Sequence, residues 1–188
     1  IVDNEEDLSG LPENSKAAAL ENAKSKEIGS EENPKWRFTL QAPSYFPVLE
    51  HVHSDSIRKK VWEGTCSIGA SGDYDNSNLV WEILELRQKK AELLGKKNFA
   101  DQVLQRRMAK SGATALAFVE DLHQRTKPFF DVETEELEKY KSQVDGGDSG
   151  AMEPWEIAYW SEKRRKAEYD FDDEELRPYF SMEKVIDG

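Results

Sequence analysis

The sequence is poor in the features that mark several large classes of protein. Its 188 residues include one cysteine, Cys66, which cannot form a disulfide within the chain, so a secreted scaffold held by disulfides is excluded. No apolar run approaches the roughly 20 residues of a membrane-spanning helix, and we expect no membrane partner. The first residues lack the basic flank and the apolar stretch of a signal peptide.

Positive charge is scarce as well. The chain has 26 Lys and Arg against 38 Asp and Glu, which gives a formal net charge of −12. Because contacts with phosphates need clustered Lys and Arg, we expect no nucleic-acid partner. Hydrophobic residues make up only 37% of the chain, although five Trp and eight Phe offer large areas for burial. This balance favours a helical protein with long polar faces, and it is typical of a piece that packs against further chain.

Apolar spacing predicts a mostly α-helical fold. Helical periodicity and capping residues predict helices over 13–26, 54–65, 76–94, 99–108, 114–126, 133–144 and 153–167, and a short one from 172 or 173 to about 177. In the helix over 76–94 the predicted core positions are Leu79, Val80, Ile83, Leu86 and Leu94. Gly95 follows as the expected C-terminal glycine. We expect Pro128 to kink or end the helix that begins near Thr114.

One segment predicts extended structure. Polar and apolar residues alternate from Trp36 to Leu40, which predicts a short half-buried strand, as a strand pair or an edge strand near residues 36–46. Pro43 and Pro47 predict a turn or edge segment between them.

The polar residues 1–34 are expected to form an acidic helix and a linker, followed by a helical domain over 35–188. Because residues 181–188 begin a helix that is too short to be stable alone, and the chain does not start with Met, we expect a part of a longer protein.

Histidine and cysteine provide few candidates for metal binding or nucleophilic catalysis. His51 and His53 would share one face of a strand and could chelate a metal there, but on a helix they would diverge. The pattern favours exposed histidines at the end of a polar segment. His123 is expected to be a partly buried residue on a helix, not a ligand. Cys66 has no basic neighbour in sequence to activate it, so we expect no catalytic thiol.

An aromatic cluster near residue 155 is the strongest binding candidate. Trp155, Glu156 and Tyr159 lie on overlapping faces of a predicted helix, where they could line a groove for a peptide or a sugar. Core packing is the simpler interpretation and the one the residues favour, because aromatic side chains mostly serve burial. The residues alone do not predict a complete active site, and we assign no catalytic and no metal-binding residue.

Several collinear segments resemble the oligopeptidase A group of the M3 zinc metallopeptidases. They are Trp36 to Val48 (WRFTLQAPSYFPV), Asp75 to Ser77 with Glu82 to Arg87 and Ala91 to Gly95, Phe118 to Pro128, Pro154 to Lys163 (PWEIAYWSEK) and Leu176 to Phe180 (LRPYF). The entry segment Gly10 to Asn14 is also similar. The sequence departs from the family pattern at Gln41 and Glu156, where Asp is usual, and at Trp160, where Tyr is usual.

The resemblance implies a mostly helical, zinc-dependent oligopeptidase that cleaves short peptides inside a deep channel. In the family, an H-E-x-x-H motif and a later Glu hold the zinc, and the motif Glu acts as base for the zinc-bound water. None of these residues is in this chain, so no catalytic role is carried over. We expect zinc in the parent protein but none in this segment, which would be inactive alone. Trp155, Glu156 and Tyr159 are its expected channel-lining residues.

Two other functions stay open at this stage. The chain could be a non-enzymatic helical interaction module on an M3-like scaffold, or, less favoured, a metal-binding domain that uses His51 and His53. The resemblance favours the cytoplasm, with the mitochondrion or the plastid as the alternative. Because such a segment exposes surfaces that other helices would cover, we also expect it to self-associate.

Overall fold

The fold is mostly α-helical, as the sequence predicts. The computed structural model describes residues 1–146, 150–169 and 173–187. The α-helices are α1 (Glu13–Lys24), α2 (Ala42–His51), α3 (Asp55–Cys66), α4 (Ser77–Leu93), α5 (Phe99–Leu104), α6 (Gly112–Asp145), α7 (Ile157–Tyr169), α8 (Asp173–Leu176) and α9 (Met182–Asp187). Short 3₁₀ turns lie at Glu5–Leu8, Gly72–Tyr74 and Arg177–Tyr179. Among the described residues, no helix has the length and apolarity needed to cross a membrane.

The chain divides into two compact units. Unit 1 comprises residues 1–65 and 137–188, and unit 2 comprises residues 66–136. The predicted division of the chain into an acidic helix and linker over 1–34 and a helical domain over 35–188 stays a prediction. Within unit 1, residues 1–34 contribute directly to the core described next.

The core of unit 1 brings the start of the chain against α2 and α3. Its buried members are Val2, Leu8, Leu11, Ala19, Trp36, Val48, Val52 and Ile57. At Gly10 the backbone has φ +90°, and a Cβ atom there would lie 2.2 Å from the His51 carbonyl oxygen. Only glycine therefore fits this close approach, which holds Leu11 in the core beside the end of α2.

Extended structure is reduced to a single antiparallel bridge in the described residues. The Val2 amide donates to the Trp36 carbonyl at 2.8 Å, and the Trp36 amide donates to Val2 at 3.0 Å. Trp36 is thus paired and buried, as the alternation predicts, but no longer strand follows. The bridge does not extend because the chain enters α2 at Ala42.

Two prolines lie inside helices, and for Pro47 this contradicts the sequence prediction. Pro47 is within α2, so the predicted turn or edge segment between Pro43 and Pro47 is helical. Val48 and Val52, one helical turn apart, are fully buried, and their packing outweighs the lost hydrogen bond. Pro128 neither ends nor splits α6, which runs through both of the helices predicted over 114–126 and 133–144.

In unit 2 the predicted core face of α4 is exposed. The bounds of α4 agree with the prediction, and Gly95 has φ +67° as expected of a C-terminal glycine. However, the predicted core positions Leu79, Val80, Ile83, Leu86 and Leu94 are between 47% and 56% exposed. The same correction applies to His123 on α6, which is exposed. Among the described residues only α5 packs closely on α4, so its apolar stripe lacks a partner.

Helices α5, α8 and α9 also correspond to helices predicted from the sequence. Helix α5 ends at Leu104, four residues before the predicted end. Helix α8 begins at Asp173, one of the two predicted starts, and the other, Asp172, lies outside the described residues. Helix α9 confirms the helical start predicted after Ser181.

The exposed face of α4 predicts self-association. The Ile83→Lys and Leu86→Lys variants should be more monomeric than the parent chain at high concentration, because each places a charge in the apolar stripe. Asn78→Lys is the matched control, since it adds the same charge to an exposed polar position of the same helix. Light scattering over a concentration series checks this, and a parent chain that is monomeric throughout would contradict it.

Candidate functional site

The three predicted groove residues lie where the chain enters α7, in contact with other parts of unit 1. Trp155 and Glu156 are half-buried in the turn before α7, and Tyr159 is buried in its first turn. Their partners come from α3, α6 and the short link between α2 and α3. We call the whole group the α7 cluster, whose members are His53, Asp55, Arg58, Lys141, Trp155, Glu156 and Tyr159.

Arg58 lies at the centre of the α7 cluster and is only 3% exposed. Its Nη1 donates to the carbonyl oxygens of Val52 at 2.7 Å and His53 at 2.9 Å, and its Nη2 donates to Asp55 Oδ1 at 3.0 Å. The guanidinium carbon also lies 4.1 Å from the centre of the Tyr159 ring, in a cation–π contact. The buried charge therefore has hydrogen-bond acceptors, a carboxylate and an aromatic face.

Trp155 joins α7 to α3. Its indole N–H donates to Asp55 Oδ1 at 2.9 Å, and its ring lies 5.6 Å from that of Trp62. The Lys59 ammonium stands 4.7 Å from the centre of the Trp155 ring. Both the polar and the apolar parts of this side chain are thus used in packing.

Tyr159 contacts His53 through its hydroxyl group. The Tyr159 hydroxyl and His53 Nδ1 are 3.0 Å apart, and the two rings meet edge to face. Partial burial and the positive charges of Lys163 and Arg58 lower the pKa of His53 below its ordinary 6.5, because all three disfavour the imidazolium. These surroundings therefore favour the neutral imidazole.

Glu156 forms a nearly buried ion pair with Lys141 of α6. Lys141 Nζ lies 2.7 Å from Oε1 and 2.8 Å from Oε2, and the two side chains are 8% and 13% exposed. Oε2 also accepts the Glu153 amide at 3.0 Å, as a glutamate does in a capping box. Burial alone would raise the pKa of Glu156, but these hydrogen bonds and the charges of Lys141 and Arg58 hold it below its ordinary 4.5.

His51 and His53, the candidate metal-binding pair, have different neighbours. His51 is the last residue of α2 and lies 3.8 Å from Glu50, whereas His53 contacts Tyr159. In the described part of the chain, no group of three or more His, Cys, Asp or Glu residues could hold a metal ion. The donor set therefore does not fit zinc, and Cys66 is exposed on its own.

Sequence analysis missed the basic residues of the α7 cluster. Asp55 and Arg58 have the i,i+3 spacing of a helical ion pair, which was a usable signal. Nothing in the sequence indicated that Lys141 would meet Glu156, because the two residues lie on different helical segments. Channel lining by Trp155, Glu156 and Tyr159 stays a prediction.

Comparisons with known proteins agree on one family. The model of peptidase family M3 matches residues 48–188. Over the whole chain, the sequence is 35% identical to organellar oligopeptidase A, chloroplastic/mitochondrial, and 33% identical to a probable cytosolic oligopeptidase A, both from Arabidopsis thaliana. It is 34% identical to oligopeptidase A of Escherichia coli, also over the whole chain. The chain covers 24% to 27% of the length of these three relatives.

The Lys141–Glu156 pair predicts a strongly asymmetric response to substitution. Lys141→Met should lower the free energy of unfolding by about 3 kcal/mol, because it leaves the Glu156 carboxylate without its ammonium partner in a nearly buried site. The double variant Lys141→Met, Glu156→Leu should recover most of that loss. Urea unfolding measures both values.

A matched control for this pair lies on the surface of α4. Lys89 and Glu85 form a pair at 2.6 Å, but both are exposed, so Lys89→Met should leave the unfolding curve unchanged. Equal effects of Lys141→Met and Lys89→Met would show that burial does not govern the Lys141–Glu156 pair.

The His53 contact predicts a dependence of stability on pH. Because the pKa of His53 is lower in the folded chain, the unfolded chain takes up the proton first, and stability falls as the pH drops below the ordinary 6.5. Above that value both states are neutral and the effect vanishes. His53→Gln should therefore lose less stability than the parent between about pH 7.5 and pH 5.5, as measured by urea unfolding.

The exposed His123 provides the control for this effect. His123→Gln removes an exposed imidazole of unit 2 and should keep the pH response of the parent chain. If His123→Gln and His53→Gln flatten the response equally, the His53 contact is not its source.

Proposed function

Because the chain belongs to peptidase family M3, we propose that it is a helical, non-catalytic part of a zinc-dependent oligopeptidase. The parent enzyme would hydrolyse short peptides within an internal channel. The observation that carries this proposal is the identity of 33% to 35% with oligopeptidase A relatives over the whole chain. The relatives' names also support a place in the cytosol, with an organelle as the alternative.

Zinc chemistry is assigned to residues outside this chain. The three histidines are followed by Val, Ser and Gln, so no H-E-x-x-H motif is present. The absence of a fitting donor set in the described residues supports the same view. In this proposal no residue among the 188 is catalytic, and the segment would form part of the wall of the channel.

The proposed channel-lining residues are Trp155, Glu156 and Tyr159. Trp155 and Glu156 keep part of their surface accessible, whereas Tyr159 is 7% exposed and could contribute only an edge. The contacts of the α7 cluster would hold these side chains in fixed positions. A wall built in this way would keep its shape when a peptide enters.

A chimera tests the proposal. Residues 1–188 replace the aligned segment of Escherichia coli oligopeptidase A, and hydrolysis of a short internally quenched peptide is measured with and without a chelator. We expect the chimera to hydrolyse the peptide in a chelator-sensitive way, and the same enzyme with the segment deleted to be inactive. A chimera that folds, as judged by circular dichroism and thermal melting, but has no activity would contradict the proposal.

The isolated chain is the second arm of the test. It should neither hydrolyse the peptide nor retain stoichiometric zinc after dialysis, because it lacks a fitting ligand set. Chelator-sensitive hydrolysis by the pure chain would refute a non-catalytic role. A chain that binds partner proteins while its chimera stays inactive would instead support an interaction module.

A further inference from the structure

A groove in unit 1, lined by residues outside the α7 cluster, has the features of a binding site. It lies between α1 and the segment 37–47, and its volume is about 640 Å³. This size is within the range typical of ligand sites. Its polar lining residues are Asn14, Ser15, Asn22, Arg37, Thr39, Gln41 and Ser44.

Arg37 gives the groove a positive charge. It alone is charged among the described residues that line the groove, in a chain whose net charge is −12. Its Nη1 donates to Asn22 Oδ1, which is a neutral acceptor. A guanidinium group has five N–H donors, so one amide oxygen leaves most of its capacity unused.

The other basic side chains that are at least partly buried in this part of unit 1 have carboxylate partners. Lys16 pairs with Glu13 at 2.9 Å, Lys35 with Asp3 at 2.8 Å and Arg58 with Asp55 at 3.0 Å. For the half-buried Arg37, no carboxylate of the described residues lies within ion-pair distance. A charge that loses part of its hydration needs compensation, and among the described residues Arg37 has only the neutral amide oxygen of Asn22.

The backbone around Arg37 is held in place before any ligand arrives. Its amide donates to the Ala19 carbonyl at 3.0 Å, and the preceding Trp36 is buried and bridged to Val2. Within the segment 37–47, the Thr39 amide donates to Ser44 Oγ at 2.9 Å. A rigid frame lowers the entropic cost of binding.

We propose that this groove binds the carboxylate group of a peptide, with Arg37 as its partner. The planar fork of arginine matches the two oxygens of a carboxylate. Ala18, Phe38, Pro43 and Pro47 provide apolar walls for the adjoining part of the peptide. The carboxylate is either a free C-terminus or an Asp or Glu side chain. This inference goes beyond the proposed function, because it requires no hydrolysis.

Isothermal titration of the 188-residue chain distinguishes the two sources. The ligands are acetyl-Ala-Ala-Phe with a free carboxylate, the same peptide as its C-terminal amide, and the amidated acetyl-Ala-Asp-Phe. We expect saturable binding of at least one carboxylate peptide, and binding of the neutral amide weaker by about tenfold or more. Binding of only the first peptide identifies a C-terminus, and binding of only the Asp peptide identifies a side chain.

Variants locate the site on Arg37. Arg37→Gln should weaken binding by about tenfold or more, while Arg106→Gln, an exposed arginine of unit 2, should leave it unchanged. Ala18→Glu places a competing carboxylate in the groove and should weaken binding without removing Arg37. Ala17→Glu, exposed and outside the groove, is its control, and circular dichroism verifies that each variant is folded.

Three results would overturn the proposal. The first is the absence of saturable binding for both carboxylate peptides up to millimolar concentration. The second is equal binding by the parent chain and Arg37→Gln. The third is inorganic phosphate binding as tightly as the peptides, since that would indicate a general anion site. Because none of these readouts involves hydrolysis, they are separate from the outcome of the chimera.

Discussion

The burial of the Arg58 guanidinium is the constraint on which the arrangement of α2, α3 and α7 depends. A buried charge needs hydrogen-bond acceptors, and Arg58 finds two just past the end of α2, where carbonyl groups lack helical partners. Its buried Nε has no hydrogen-bond partner among the described residues. The negative end of the α2 dipole favours a cation at the same place. Asp55 and the Tyr159 ring complete the surroundings, so one side chain fixes where α3 begins and where α7 packs.

The two units bury their apolar residues to different degrees. Unit 1 buries Leu8, Val48 and Val52 completely. In unit 2, by contrast, the stripe on α4 keeps about half of its surface exposed, although its helical spacing is regular. A periodic stripe shows that a helix face is suited to burial, but it does not show whether the partner lies within the same chain. The chain covers about a quarter of the length of each relative. An apolar face that packs against other parts of a longer protein is consistent with this coverage.

Local signals predicted the elements well but not their tertiary contacts. The bounds of α4 and the left-handed Gly95 follow from periodicity and capping, which act within a few residues. Pro47 was wrongly predicted to lie in a turn or edge segment because the cost of a proline is local, whereas the packing that outweighs it is not. The Lys141–Glu156 pair and the Arg37 groove join residues that are far apart in sequence or on separate elements. A single sequence does not show which distant residues come into contact.

Glu156 departs from the aspartate that the family pattern has at this position, and its contacts give a physical reason. The carboxylate accepts the Glu153 amide three residues earlier, the task for which a capping box uses Glu or Gln. The same carboxylate takes both hydrogen bonds from Lys141. One side chain thus closes the turn that leads into α7 and ties this turn to α6. The extra methylene of glutamate lets its oxygens reach the Glu153 amide and the Lys141 ammonium at the same time. An aspartate paired with the same lysine would lose part of one of these two contacts.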